Sequence, residues 1–248
     1  MGERLDMWLV RKGHFDTRSR ARDAIRRGTV TIDGMKAAKA GQFVTASARI
    51  SIQDPARHHV SRAALKLIAA LDHFALDPQG RHALDIGAST GGFSQVLLER
   101  GAAHVIAVDV GHAQLSKRLQ DDSRMTSREG LNARDLTRAD CDGYRIGAVV
   151  SDVSFISVTL ALPPALNLAD SGAFAVLLIK PQFEAGREAI TRQGLVKDAG
   201  QAEAIAQERA RWLDQQPGWR TLGLIASPIT GGDGNREYLL AAIKDRKT

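Results

Sequence analysis

The chain has 248 residues, of which 44% are hydrophobic and 25% charged, and its formal net charge is +6 at pH 7. This composition supports one large domain, or a small domain joined to a larger one, and excludes a disordered or fibrous chain. The single cysteine, Cys141, excludes an intramolecular disulfide framework. No apolar signal core begins the sequence, and the longest apolar run, residues 173–179, is too short to span a bilayer. We therefore expect a cytoplasmic protein with a polyanionic partner and no stable membrane partner.

The N-terminal part of the sequence alternates between helix and strand signals. Apolar residues at helical spacing predict a first helix that Gly13 ends, and Thr17 is a candidate N-cap for a second helix running to Arg27. The alternating stretch 29–34 predicts a strand that leads into a turn, and residues 50–52 predict another strand. The pattern indicates a small, compact α+β module.

Arginine and lysine are dense in this module. A solvated basic face is the plain alternative, but so many arginines on and around one helix favour contact with RNA phosphates. The segments Arg-Leu-Asp at 4–6, Thr-Arg-Ser-Arg-Ala at 17–21 and Ile-Arg-Arg-Gly-Thr-Val-Thr-Ile-Asp-Gly at 25–34 resemble the RNA-binding domain named after ribosomal small-subunit protein four. That resemblance implies that the second helix and the following turn face structured RNA. The candidate RNA-binding residues are Arg4, Arg11, Lys12, Arg18, Arg20, Arg22, Arg26 and Arg27.

A polar stretch that contains Pro55 follows this module and indicates a domain boundary. We expect an RNA-binding domain over residues 1–54, a linker over residues 55–60 and a larger domain over residues 61–248.

The larger domain begins with a predicted amphipathic helix that ends near Leu71. Ser61 is a candidate N-cap of this helix. Leucine, isoleucine and alanine at helical spacing predict that its core face contains Leu65, Ile68, Ala69 and Leu71. Lys66 lies next to that face, so it either projects toward a cleft or is an ordinary surface lysine.

From residue 81 onward, predicted strands and helices alternate, which is typical of a doubly wound parallel sheet. A helix rich in alanine is predicted over residues 201–215. The predicted strands are 83–86, 105–110, 125–129, 148–150, 174–179, 221–226 and 237–243. The fold class is therefore α/β with a Rossmann-like sheet, preceded by the small α+β module.

A glycine loop follows the first strand of this sheet. The segment His-Ala-Leu-Asp-Ile-Gly-Ala-Ser-Thr-Gly-Gly-Phe-Ser at 82–94 predicts a strand, a loop and a helix, whose first N–H groups favour an anionic ligand group. Asp109 closes the next strand 24 residues after Asp85, where an acidic residue would accept hydrogen bonds from ribose hydroxyls.

The spacing of these glycines matches neither G-x-G-x-x-G nor the triphosphate-binding loop. An ordinary βα turn with structural glycines is the alternative. A short loop that serves a carboxylate-bearing adenosine derivative fits better than one that serves a pyrophosphate. The stretch resembles motif I of S-adenosylmethionine-dependent methyltransferases.

Polar residues also follow the fourth and fifth predicted strands. Asp152 follows the fourth, and Lys180 directly follows the apolar run of the fifth. Ligands of such sheets bind at the carboxyl ends of the strands, so both residues are expected at the same edge. Desolvation and a second lysine would lower the pKa of Lys180, whereas a carboxylate would orient it and oppose the drop. A lysine in this setting is a candidate base.

Four residues match, in order and context, the Lys-Asp-Lys-Glu tetrad of FtsJ-like ribose 2′-O-methyltransferases: Lys66, Asp152, Lys180 and Glu237. The segments Ser-Arg-x-x-Leu-Lys, Asp-Val-Ser-Phe-Ile-Ser and Lys-Pro-Gln-Phe-Glu are similar to those of the TlyA family, whose members join that domain to this RNA-binding module. The resemblance covers nearly the whole chain. It implies a class I methyltransferase sheet, S-adenosylmethionine as cofactor, and ribosomal RNA or ribosomal subunits as partner.

The same resemblance implies a role for each site residue. Lys180 would accept the proton of the ribose 2′-hydroxyl, Asp152 would hold Lys180, and the other two tetrad members would position the ribose. The glycine loop would bind the methionine end of the cofactor, Asp109 its ribose and Asn132 its adenine. The candidate cofactor-binding residues are Asp85, Gly87, Ser89, Thr90, Gly91, Gly92, Phe93, Asp109 and Asn132.

Two other functions remain as alternatives to a methyltransferase. One is a non-catalytic RNA-binding or ribosome-assembly factor, and the other is a membrane-active haemolysin, a label that the TlyA family carries. The basic helix has too small an apolar face for stable membrane anchoring. The histidines show no zinc-binding spacing, so no metal is expected, and Cys141 lacks the Pro-Cys setting of a nucleophile that methylates pyrimidine carbons.

Overall fold

The computed structural model describes residues 2–191, 193–232 and 234–246. The chain divides into two compact units, an N-terminal unit, Met1–His58, and a C-terminal unit, His59–Thr248. Among the described residues, no helix has the length and apolar character that crossing a membrane requires.

The N-terminal unit consists of two short helices and five short strands. Its elements are β1 (Glu3–Arg4), α1 (Leu5–Arg11), α2 (Arg18–Arg26), β2 (Val30–Ile32), β3 (Met35–Lys36), β4 (Phe43–Val44) and β5 (Ile50–Ile52). All pairings are antiparallel: β1 with β4, and β2 with both β3 and β5. Leu5, Leu9, Ala24 and Ile25 are buried and join the two helices to Val30 in a single small core.

The predicted start of the second helix is confirmed. Thr17 has extended backbone angles and its side chain accepts a hydrogen bond from the backbone N–H of Arg20, so it caps α2. Such a cap satisfies one of the amide groups that a helix N-terminus leaves unpaired. The helix ends at Arg26, one residue before the predicted end.

The C-terminal unit contains one seven-stranded sheet with helices on both faces. Its elements are α3 (Ala64–His73), β6 (His82–Ile86), α4 (Gly92–Glu99), β7 (His104–Asp109), α5 (Lys117–Gln120), β8 (Met125–Glu129), β9 (Ile146–Ser151), α6 (Val158–Ala161), α7 (Pro163–Leu168), β10 (Ala169–Ile179), α8 (Pro181–Glu184), α9 (Ala199–Asp214), β11 (Trp219–Ala226) and β12 (Tyr238–Lys244). The strand order is β11-β12-β10-β9-β6-β7-β8. Strands β8, β7, β6, β9 and β10 are parallel, and β12 is antiparallel to its neighbours. The predicted α/β class with a Rossmann-like sheet is confirmed.

Strand β10 shows why the centre of the sheet is so apolar. Leu177 and Ile179 pack into the core on one face, and Val176 and Leu178 pack into the core on the other. Because both faces of the strand are buried, its sequence is a continuous run of apolar residues and does not alternate between apolar and polar residues.

The sequence predicted that this strand begins at residue 174, but β10 begins at Ala169. Ala169 pairs with Ile146, and the register then shifts before Phe174 pairs with Ala148. The polar residues within this irregular start hide the strand from a pattern based on apolar runs.

The prediction for the first helix of the C-terminal unit was wrong in two respects. Ser61 is not its N-cap, because its Oγ accepts a hydrogen bond from Ala63 N in a short turn and α3 begins only at Ala64. Of the predicted core face, Leu71 is buried as expected, whereas Leu65, Ile68 and Ala69 are only half-buried, because α3 packs against both α4 and the edge of the sheet at β12. The buried residues of α3 are Ala64, Lys66, Leu67, Ala70 and Leu71.

Candidate functional site

The candidate site lies where neighbouring strands of the large sheet end or begin. Ile179 at the end of β10 pairs with Tyr238 at the start of β12, so the next position along places Lys180 opposite Glu237. Strand β9 lies on the other side of β10 and is followed by Asp152. The register of three adjacent strands therefore brings together residues that are far apart in the sequence.

Lys66 and Glu237 form a buried ion pair. Lys66 Nζ donates to Glu237 Oε2 at 2.6 Å, and the two side chains are only 7% and 3% exposed. Removing two charges from water costs free energy that such a pair repays only with close geometry. The pair therefore fixes α3 against β12 at the edge of the site.

Lys180 and Asp152 form the second ion pair, with 2.6 Å between Lys180 Nζ and Asp152 Oδ1. Lys180 Nζ also donates to Ser154 Oγ at 2.6 Å. Lys180 itself is 9% exposed, so its ammonium position is defined by these two partners and not by solvent. The sequence did not single out Ser154, although it lies in the segment Asp-Val-Ser-Phe-Ile-Ser.

The glycine loop between β6 and α4 approaches other backbone closely. Gly87 has a φ of +81°, and a Cβ at this position would lie 3.1 Å from the carbonyl group of Asp152. Gly91 has a φ of +91° at the start of α4, and a side chain there would collide with Leu119. Both positions need glycine for backbone angles and for space.

Asp85 is fully buried at the end of β6 and is incompletely hydrogen-bonded. Its Oδ2 accepts from Ser94 Oγ at 2.6 Å, whereas Oδ1 is buried without a hydrogen-bond partner. Burial raises the pKa of Asp85 to about 7, with a further rise from the charge of Asp152, against the opposing hydrogen bond from Ser94. A buried carboxyl with an open oxygen is a candidate for binding a cationic group.

Two adjoining cavities border the loop. The smaller, of about 170 Å³, contacts the tetrad residues of the second ion pair and most of the loop. It is lined by Ser61, Ala63, Asp85, Gly87, Ala88, Ser89, Thr90, Gly92, Phe93, Asp152, Ser154 and Lys180. The larger, of about 470 Å³, extends past the ends of β7 and β8 and is lined in part by Asp109, Asn132, Val110 and Phe155.

Asp109 is held at the mouth of the larger cavity by backbone amides. Its Oδ2 accepts from Ser89 N and its Oδ1 from Gly111 N, each at 2.8 Å. Each carboxylate oxygen has a further lone pair for a ligand hydroxyl. Asn132 caps a short 3₁₀ helix through its Oδ1, which accepts from Arg134 N at 3.1 Å.

Of the nine candidate cofactor-binding residues, eight border one of the two cavities. Gly91 does not, because it packs against Leu115 and Leu119 at the start of α4. The tetrad residues Lys66 and Glu237 line neither cavity and form a buried pair with each other.

Exposed Phe155 and half-buried Phe183 form an aromatic pair beside the larger cavity that the sequence did not single out. Phe155 is 89% exposed, has a φ of +65° and packs against Phe183 with 4.9 Å between ring centroids. A large aromatic residue held exposed with a left-handed backbone is costly for folding alone. Lys180 Nζ lies 5.9 Å from the Phe183 ring, so the pair adjoins the second ion pair.

The candidate RNA-binding residues all lie in the N-terminal unit. Residues 1–58 contain twelve lysines and arginines and six acidic residues, so this unit carries the full formal charge of +6 and residues 59–248 have none. Seven of the eight candidates form ion pairs, and Lys12 lies 6.0 Å from the Trp8 ring. The pairs are Arg4–Asp6, Arg11–Glu3, Arg18–Asp6, Arg20–Asp16, Arg22–Asp6, Arg26–Asp23, Arg27–Asp23 and Arg27–Asp54.

A Rossmann-like sheet with a glycine loop, three tetrad residues at its strand ends and a lysine from the adjoining helix α3 defines a methyltransferase of the FtsJ type. Comparison with protein families agrees: the FtsJ-like methyltransferase model matches residues 59–244, and the S4 domain model matches residues 3–50. The chain belongs to the FtsJ-like methyltransferase family and carries an S4 domain.

Relatives in one branch of that family, TlyA, are similar to nearly the whole chain. The chain is 43% identical over 238 residues to the 16S/23S rRNA (cytidine-2′-O)-methyltransferase TlyA of Mycobacterium tuberculosis, covering 96% of this chain and 88% of the relative. It is 37% identical to Hemolysin A of Brachyspira hyodysenteriae, covering 95% and 98%. A solved structure from Streptococcus thermophilus superposes with a TM-score of 0.77 at 36% identity, covering 99% of this chain and 90% of the other. The resemblance to the TlyA family is thereby confirmed.

Proposed function

We propose that the protein transfers a methyl group from S-adenosylmethionine to a ribose 2′-hydroxyl of ribosomal RNA. The observation that carries this proposal is the Lys180–Asp152 ion pair at the wall of the cavity formed by the glycine loop. A lysine held at the border of a small-molecule pocket is suited to act on a hydroxyl that enters from the open side.

The residues present fit S-adenosylmethionine. The open, buried Oδ1 of Asp85 lines the smaller cavity and would accept the ammonium group of the methionine moiety. Asp109 would accept hydrogen bonds from the ribose hydroxyls, and Asn132 would border the adenine in the larger cavity. When bound, the cofactor supplies an electrophilic methyl group on a sulfonium centre.

The chain's own groups then have distinct tasks. Lys180, as its neutral amine, would orient the 2′-oxygen of the target ribose and accept its proton. Asp152 and Ser154 hold that nitrogen in place. The buried Lys66–Glu237 pair fixes the surface against which the ribose rests. Alignment of the reacting atoms supplies most of the acceleration, because no covalent enzyme intermediate is needed.

Phe155 gives the target nucleotide a second contact. A ribose can reach Lys180 only if its nucleotide leaves the stack, and an extruded base is stabilised by an aromatic face. Phe155 is exposed, lines the larger cavity and is backed by Phe183. The aromatic pair therefore supports a polynucleotide substrate over a small alcohol.

The name of the Mycobacterium tuberculosis relative supports ribosomal RNA as the substrate class. The S4 domain carries the full net positive charge of the chain, which supports binding of a highly charged, structured RNA. Binding by this domain would set the position of the enzyme on the RNA, since phosphate contacts carry no sequence information.

The proposal is tested by incubating the full-length protein with methyl-labelled S-adenosylmethionine and purified small subunits, large subunits or protein-free ribosomal RNA. The RNA is then digested to nucleosides, and we expect label in a 2′-O-methylnucleoside. The Lys180→Ala variant should give no label, and Lys117→Ala, which alters an exposed lysine, should match the unmodified protein. Absence of label in every substrate would reject the proposal, and tight RNA binding without transfer would instead favour a non-catalytic assembly factor.

A further inference from the structure

One buried carboxylate in the S4 domain holds three arginines. Asp6 lies in α1 and its side chain has no exposed surface. Arg22 Nε donates to Asp6 Oδ2 at 2.8 Å, and an Arg18 terminal nitrogen donates to the same oxygen at 2.9 Å. Arg4 forks across both oxygens, at 3.1 Å to Oδ1 and 3.2 Å to Oδ2. The three guanidinium groups therefore converge on a single point.

The cluster of Asp6 with its three arginines carries a net positive charge. One carboxylate neutralises one guanidinium, so two positive charges remain uncompensated within a few ångströms. Burial raises the pKa of Asp6, but hydrogen bonds from Arg4, Arg22 and Arg18 outweigh it and hold this pKa well below its usual range. Asp6 is thus a permanent anchor at neutral pH. The arginines themselves stay 39–51% exposed, and each guanidinium has more N–H donors than its bonds to Asp6 use.

The other arginines of the S4 domain are arranged differently. Arg11 is paired with Glu3, and Arg26 and Arg27 share Asp23, with Arg27 also bound to Asp54. Positive charges held close together repel one another and lower the stability of the folded domain. Such an arrangement is expected where a bound ligand of negative charge compensates the repulsion.

We propose that Asp6 is a positioning residue that presents Arg4, Arg18 and Arg22 as a clasp for an RNA phosphate. The inference rests on the proposed RNA substrate and adds to it a residue that is itself negatively charged. Each guanidinium group donates its hydrogen bonds in one plane. A shared carboxylate that fixes the orientation of several guanidinium groups therefore allows them to donate to the oxygens of one phosphate group. The backbone at Gly41 lies against the Arg4 guanidinium, since a Cβ there would be 3.1 Å from it, and this contact limits how Arg4 can turn.

Because Asp6 is negatively charged, the direction in which its replacement changes RNA affinity tests the proposal. Asp6→Asn removes a negative charge, so simple attraction predicts tighter RNA binding, whereas loss of the anchor predicts weaker binding. The probe is a fluorescein-labelled RNA hairpin titrated with the full-length protein at two or more salt concentrations. We expect Asp6→Asn to bind about tenfold more weakly and to show a flatter dependence on salt, because fewer phosphate contacts form.

Glu3→Gln is the matched control, because it removes a carboxylate that pairs with one arginine in the same domain. We expect it to bind the hairpin as tightly as the unmodified protein, or more tightly. If Asp6→Asn stays folded by circular dichroism and binds as tightly as Glu3→Gln, the proposal is overturned.

A second pair of variants keeps the proposal testable if Asp6→Asn unfolds. Arg22→Gln and Arg26→Gln change the same residue type on the same helix, and both side chains are more than half exposed. We expect a loss of about five- to tenfold for Arg22→Gln and a clearly smaller loss for Arg26→Gln. Equal losses would overturn the proposal. Failure of methyl transfer with hairpin binding intact would count against the proposed function and not against this clasp.

Discussion

The two units of the chain use charge in opposite ways. The S4 domain carries the whole formal charge of +6, and most of its arginines are partly exposed. The methyltransferase domain is formally neutral and holds the charges of its candidate site as buried or partly buried pairs, Lys66 with Glu237 and Lys180 with Asp152. Exposed charge attracts a polyanion over a distance, whereas buried charge fixes atoms in position at a cost in desolvation. Substitutions should therefore change affinity in one unit and geometry or stability in the other.

The largest effect is expected for Lys180→Ala in the methyltransferase domain. Loss of the group that accepts the ribose proton should lower the single-turnover rate of methyl transfer by about 100- to 10,000-fold. Affinity for S-adenosylhomocysteine should change by less than about threefold, because other residues hold the cofactor. Stopped-time methylation assays and calorimetric titration measure the two quantities. A rate within about threefold of the unmodified enzyme would show that Lys180 is not the base.

Removing one partner of the Lys66–Glu237 pair should destabilise the fold more than neutralising both partners. Lys66→Met leaves a buried, uncompensated carboxylate and should reduce the free energy of unfolding by about 3–5 kcal/mol. The double variant Lys66→Met/Glu237→Gln should recover much of that loss but not the methylation rate. Chemical denaturation of the two variants tests this, and additive losses would contradict the buried-pair account.

Phe155→Ala should separate binding of the target nucleotide from folding. Stacking of one base on an aromatic ring contributes about 1–3 kcal/mol, so kcat/KM for RNA should fall by about 5- to 150-fold. The side chain is 89% exposed, so the midpoint of thermal unfolding should barely change. Phe155→Tyr retains the aromatic face and serves as the control. Equal activity of the alanine and tyrosine variants would remove Phe155 from the substrate site.

Asp85 should make cofactor affinity depend on pH. Its pKa is about 7 in the folded protein against 3.8 for the unperturbed group, so protons bind to the folded state over this interval. The contribution of Asp85 to stability is therefore fully present below about pH 4 and is lost as the pH rises to about 7. The carboxylate that would accept the ammonium group forms over the same rise.

We accordingly expect S-adenosylhomocysteine to bind about tenfold more tightly at pH 7.5 than at pH 5.5–6. In Asp85→Asn, this dependence should disappear, and thermal stability near pH 7.5 should rise. Calorimetric titrations across the range test the first point and thermal unfolding the second. A pH-independent affinity in the unmodified protein would contradict the proposed contact with Asp85.

The smallest effect is expected for Arg27→Gln in the S4 domain. Arg27 is predicted from the sequence to bind RNA, but its guanidinium already contacts Asp23 and Asp54 and its side chain is 20% exposed. Affinity for an RNA hairpin should change by less than about threefold, and stability should fall by about 1–3 kcal/mol. A loss of RNA affinity as large as that of Arg22→Gln would show that exposure does not separate the two arginines.

Much of the architecture could be predicted from local sequence patterns. The cap at Thr17, the strand, loop and helix around Gly87 and the positions of most strands of the large sheet follow from short-range signals. The early start of β10 and the inward face of α3 could not, because each depends on which neighbours pack against the element. Lys66 illustrates the difference: by periodicity it could be a surface residue, yet it is buried by a partner 171 positions away.

The candidate site was predicted unevenly for the same reason. Asp152 and Lys180 were predicted to lie at one edge because each follows a strand, whereas Lys66 and Glu237 joined the set only through resemblance to a family. Ser154 and Phe155 lie in a segment that the sequence comparison used, but only the fold shows that one contacts Lys180 and the other is exposed beside it. The role of Asp6 could not be predicted from the sequence, because only the fold shows that its carboxylate accepts hydrogen bonds from three arginines.

The central claim is that the glycine loop and Lys180 border the same reacting centre. A crystal structure of the protein with S-adenosylhomocysteine tests it most directly. We predict that the ammonium group will contact Asp85, that the ribose hydroxyls will contact Asp109, and that the sulfur will face Lys180 Nζ across an open gap. A bound ligand whose sulfur points away from Lys180, or one that occupies neither cavity, would contradict the account.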